Sequence, residues 1–75
     1  MSIKNKGVII LDKRIVEVYS NGIWMQTEFE DLRKNDRFRL FESDGERVAD
    51  DKGRNEWIAS SNSFMKMGDW VVNIY

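Results

Sequence analysis

Asn21-Gly22 is the feature that most narrows what this chain can fold into. A two-residue type I′ turn needs positive φ at both central positions, and Asn-Gly meets that demand at little steric cost. Arg14-Ile15-Val16-Glu17-Val18-Tyr19 precedes the pair and Ile23-Trp24-Met25-Gln26-Thr27 follows it. Both runs are rich in the β-branched and aromatic residues that fit a pleated, half-buried surface. The pattern predicts a β-hairpin, and the rest of the chain must supply strands that pair with it.

Those strands can be read in outline. Val8 to Leu11 is a continuous apolar run suited to a buried strand, and Asp12-Lys13 interrupts it as a tight turn. Arg37-Phe38-Arg39-Leu40-Phe41-Glu42 alternates with period two, so Phe38 and Leu40 face inward and Arg37, Arg39 and Phe41 outward. Asp44-Gly45 turns that strand toward a short one at Arg47-Val48-Ala49. Trp57–Ser61 and Trp70–Tyr75 read as the last two strands, joined by an irregular loop holding Met65, Met67 and Gly68.

One helix is expected. Thr27-Glu28-Phe29-Glu30 has the form of a capping box, opening two turns over Glu28–Lys34. Phe29 and Leu32 would share the buried face, and Asn35 would take the left-handed position that ends it. About five to seven short strands with one short helix describe a small barrel or a strongly bent antiparallel sheet of the SH3-like kind. Closure would also hide strand edges that this proline-free chain cannot block with proline.

The chain has 75 residues, enough for a single domain with a small core. Its three Trp, four Phe and two Tyr are therefore needed mostly for packing. Residues 1–6 are polar and are expected to fray. The absence of Cys and His excludes thiolate and imidazole chemistry and the commonest transition-metal ligands. No cofactor is implied. Twelve basic residues against thirteen acidic ones leave no bulk field toward DNA or an anionic membrane. No apolar run approaches the roughly 20 residues of a membrane span, and none suits a signal peptide. The expectation is a cytoplasmic protein, a monomer or weak homodimer.

Asp31-Leu32-Arg33-Lys34-Asn35-Asp36-Arg37-Phe38-Arg39-Leu40-Phe41-Glu42, followed by Asp44-Gly45, resembles a signature of small proteins from phages and prophages. Glu56-Trp57-Ile58-Ala59 and Gly68-Asp69-Trp70 to Tyr75 fit its later elements. Asn35 stands where the signature has Gly, which still permits a left-handed turn. The group implies a phage-borne origin and no particular activity. A weaker similarity, to the Hint module of inteins, concerns β-topology only, because the splicing nucleophile and histidine have no counterpart here.

Four sets of residues are candidates for function. Arg33, Lys34, Arg37, Arg39 and Phe41 would form a basic and aromatic face suited to phosphate and base stacking, unless the arginines pair with Glu17, Glu28 or Glu42. Trp24 and Trp57, whichever points outward, would anchor a protein partner. Asp44, Glu46, Asp50 and Asp51 are carboxylates without the spacing of a calcium loop. Ser60, Ser61 and Ser63 lack the adjacent base a nucleophile needs. The reading that follows is a non-enzymatic module that binds a protein, with nucleic acid as the alternative. A carboxylate-only hydrolase using a pair such as Asp36 and Glu56 comes third.

Overall fold

The alternation of Arg37–Glu42 sets the inside of the molecule, and the neighbouring strands follow its register. A computed structural model describes residues 7–75; the segment 1–6, expected to fray, lies outside the described residues. The strands are β1 (Gly7–Ile10), β2 (Arg14–Ser20), β3 (Ile23–Thr27), β4 (Arg37–Glu42), β5 (Trp57–Ile58), β6 (Phe64–Lys66) and β7 (Asp69–Ile74). They form two antiparallel sheets, ordered β1-β7-β6 and β3-β2-β4-β5. The protein is mainly β, as the hairpin signals require.

Val16 lies opposite Leu40 and Val18 opposite Phe38, so β2 and β4 turn four apolar side chains to one side. Val72 and Ile74 of β7 meet them, together with Leu11, Leu32, Trp57 and Ala59. Phe38, Leu40, Leu11 and Leu32 are fully buried, and each such side chain contributes roughly 1.5–3 kcal/mol. The two sheets are tied where the chain leaves β5. Ala59 bridges Ile74, Ser60 N–H donates to the Asn73 carbonyl at 2.8 Å, and Tyr75 N–H donates to the Ile58 carbonyl at 3.2 Å. At the other end Leu11 N–H donates to the Trp70 carbonyl, and Asp12 Oδ1 accepts from Trp70 N–H at 2.9 Å.

The Asn21-Gly22 hairpin is present, with φ of 52° and 86° and Tyr19 opposite Trp24. Asn35 is left-handed at φ 76°. The expected two-turn helix is not. A single 3-10 turn at Phe29–Asp31 takes its place, with Glu28 as N-cap and no side-chain cap bond. Thr27 is already the last residue of β3, paired with Val16, and is not free to cap. Leu32 is extended and fully buried, its carbonyl accepting from Ser63 N–H at 3.0 Å.

Three strand expectations are also corrected. Arg47–Ala49 makes only a bridge from Arg47 to Phe41. The Trp57–Ser61 strand ends at Ile58, because Ser60 turns to pair with Asn73. The irregular loop at Met65–Gly68 is a hairpin of β6 and β7 in which Met67 and Gly68 adopt φ of 52° and 86°.

Candidate recognition surface

The side of the four-stranded sheet facing away from the core carries the densest set of aromatic and charged side chains. Register places them in rows. Glu17 of β2 sits opposite Arg39 of β4 and Gln26 of β3, while Tyr19 sits opposite Trp24. Arg37 precedes Arg39 by two residues and Phe41 follows it by two, so all three share this face.

Arg39 is the centre. Its Nε donates to Glu17 Oε1 at 2.8 Å, and Nη2 lies 2.7 Å from the same oxygen. Its guanidinium carbon stands 4.2 Å above the Trp24 ring centroid and 5.4 Å from that of Phe41. The Arg39 and Glu17 side chains are only about a quarter exposed, at 22% and 25%, so neither charge is fully screened by water. Trp24 in turn packs edge-on to Tyr19, ring centroids 5.2 Å apart at 62°. Contacts of this kind contribute about 0.5–1 kcal/mol each, and together they hold the guanidinium in one orientation.

Glu56 organises the second half of the face. Its Oε1 accepts from Arg37 Nε and Nη2 at 2.9 and 2.6 Å, and its Oε2 lies 3.6 Å from Arg47 Nη2. Arg37 also lies over Tyr19 at 5.2 Å, and Arg47 over Phe41 at 5.5 Å. The result is an alternating band of rings and ion pairs, three arginines to two carboxylates. Tyr19 and Ile58 add exposed apolar area beside it.

Of the residues singled out from the sequence, Trp24, Arg37, Arg39 and Phe41 come together here. Arg33 and Lys34 do not join them. They precede β4 in the turn region, where Arg33 Nη1 donates to the Glu30 carbonyl at 2.6 Å and Lys34 N–H donates to Asn62 Oδ1 at 2.9 Å. Trp57 is not an outward anchor. It is only 4% exposed and packs on Phe38 with ring centroids 5.9 Å apart. Phe38↔Trp57 is a register pair, and an inward Phe38 therefore takes Trp57 inward with it. Sequence reasoning missed Tyr19 and Arg47 and named Glu56 only as a candidate hydrolytic carboxylate; all three lie on other segments and enter this face through cross-strand pairing.

Most of the remaining candidates have partners of their own. Asp44 Oδ1 accepts from Glu46 N–H at 3.0 Å. The Asp50 carboxyl is held below the ordinary value of 3.8, chiefly by its hydrogen bond to the Arg54 side chain and further by the Arg54 and Lys52 amides. Asp36 Oδ2 accepts from Arg33 N–H at 2.9 Å. Ser63 Oγ donates to the Phe29 carbonyl, and Ser61 Oγ accepts from Asn73 N–H. Among the described residues no three or more carboxylates are gathered as a metal would need, and no helix is long and apolar enough to cross a membrane.

Comparison of the chain with protein-family models, with curated proteins and with solved structures gives no match.

Proposed function

We propose that the outer face of the four-stranded sheet is a protein-recognition surface and that the chain is a non-enzymatic binding module. The observation that carries this is Arg39, fixed between the Trp24 ring and the Glu17 carboxylate. Tryptophan, tyrosine and arginine dominate the energetics of protein interfaces, most of all where they are held in place before the partner arrives. Protein is favoured over nucleic acid because Glu17 and Glu56 already answer the arginines, and a phosphate would have to compete with them. The net charge of −1 supplies no field to help it.

On the fold, the bridge between Ala59 and Ile74 supports an SH3-like arrangement in which the two sheets approach a barrel. An accessory role in the cytoplasm of a phage-infected or lysogenic cell rests on the sequence signature alone.

The test is affinity capture from such cells with the unmodified protein and with Trp24→Ala, followed by titration of each captured protein in purified form. A genuine partner loses about tenfold or more in affinity for Trp24→Ala and for Arg39→Ala, with both variants folded by circular dichroism. Captured proteins that bind the variants as well as the parent would overturn the reading. Salt-sensitive oligonucleotide binding abolished by Arg37→Glu and Arg39→Glu would replace it with the nucleic-acid one.

A further inference from the structure

The two sheets end at four strands: β3 and β5 in one, β1 and β6 in the other. An edge strand is a template for pairing with another chain unless it is short, charged or otherwise blocked. Three of these edges are blunted. β5 has two residues, β6 carries Lys66, and the Ile10 carbonyl of β1 accepts from Arg14 Nη1 at 3.0 Å. β3 is not. Its five residues, Ile23–Thr27, hold no charge and no proline, and its pairing with β2 runs without a bulge.

The hairpin decides which backbone groups of β3 are free. Its turn closes with the Ser20 carbonyl accepting from Ile23 N–H. Alternation along an antiparallel ladder then turns Ile23, Met25 and Thr27 to β2 and leaves the N–H and C=O of Trp24 and Gln26 pointing away from it. No other backbone group among the described residues takes these four up. They lie symmetrically about Met25. Antiparallel pairing of two copies with Met25 opposite Met25 sets Trp24 against Gln26 twice, and all four groups of each strand are satisfied at once.

The side chains suit the same register. Met25 pairs with inward Val18, so Ile23 and Met25 project on the core side of the sheet. Neither belongs to the core, and they are 57% and 53% exposed. Across the two-fold axis Met25 covers Met25 and Ile23 meets Thr27, so apolar area is removed from water. No charge opposes a like charge, because Glu28 at the end of the strand falls opposite Gly22.

We propose that β3 is a dimerisation edge, pairing with β3 of a second copy about Met25 to join two four-stranded sheets into one. The dimer goes beyond the recognition reading, and the pure protein tests it without any partner.

The chain has no cysteine, so disulfide formation can report the register. The two Met25 Cα atoms would stand about 4.5 Å apart, within the roughly 4.4–6.8 Å that a disulfide spans. The two Ile23 Cα atoms would be roughly 13 Å apart. Under mild oxidation Met25→Cys should crosslink about tenfold or more faster than Ile23→Cys. Analytical ultracentrifugation of the parent should show a reversible monomer–dimer equilibrium. Met25→Lys, which opposes two ammonium groups across the axis, should weaken it about tenfold or more with circular dichroism unchanged. The cysteine pair decides the matter if Met25→Lys fails to fold. A parent that stays monomeric at millimolar concentration would overturn the proposal, even if the edge captured an extended peptide of another protein. So would equal crosslinking of the two cysteine variants, or a folded Met25→Lys variant that dimerises like the parent.

Discussion

The outer and inner faces of the four-stranded sheet each hold a tryptophan, yet they treat their polar groups in opposite ways. On the outer face, Arg37, Arg39 and Arg47 each have a carboxylate, and the rings lie against the guanidiniums. On the inner face, the indole N–H of Trp57 has no acceptor among the described residues. The first region is internally paired, and the recognition proposed for it rests on shape and preset orientation. The second keeps one buried donor without a partner. Trp24 and Trp57 differ for one reason, strand parity. Trp24 pairs with outward Tyr19, and Trp57 pairs with inward Phe38.

That contrast can be broken most forcefully at the tryptophans. Trp57→Ala should destabilise the protein by about 3–5 kcal/mol, the range for emptying a core aromatic site. Trp24→Ala should cost about 1 kcal/mol, since the partly buried surface ring gives up mainly its contacts with Arg39 and Tyr19. Chemical denaturation reads both, and equal losses would contradict the parity argument. Trp57→Phe sharpens the same point. It removes the unpaired donor while keeping an aromatic ring, so its cost should stay within about 1 kcal/mol despite the smaller volume.

Legibility in the sequence followed the same division. Asn21-Gly22 was readable because its turn type has a local steric cause. The inward Phe38 and Leu40 followed from simple alternation. Met67-Gly68 turns with the same positive φ pair, but methionine carries no turn signal, so that hairpin was not visible. The capping box at Thr27 and Glu30 was a sound local motif overridden by tertiary pairing, because Thr27 belongs to β3. Arg39 with Glu17 was among the foreseen pairs. Arg37 with Glu56 was not, since it depends on β5 docking beside β4, a contact between distant segments. Half of the candidate surface was therefore legible strand by strand, and the other half existed only once the register was known.

Smaller effects should separate the two regions further. Arg39→Ala leaves the quarter-exposed Glu17 carboxylate without its partner and should cost up to about 1 kcal/mol, whereas Lys52→Gln should leave stability unchanged. A pH response is expected at the loop around Asp50. The Asp50 carboxyl is depressed in the folded protein, so its contribution is present above the ordinary carboxylate value of 3.8 and is lost as pH falls through the lower folded value. The amide signals of Lys52 and Arg54 should move together below pH 3.8.

The most direct measurement is the proton chemical shift of the Arg39 side chain. A guanidinium seated 4.2 Å above the Trp24 centroid lies in the shielding cone of the indole. Its methylene and Nε protons should resonate well upfield of free arginine, and Trp24→Ala should return them to ordinary positions. Ordinary shifts in the parent protein would mean that the arginine is not held on the ring, and the preset recognition surface would not exist.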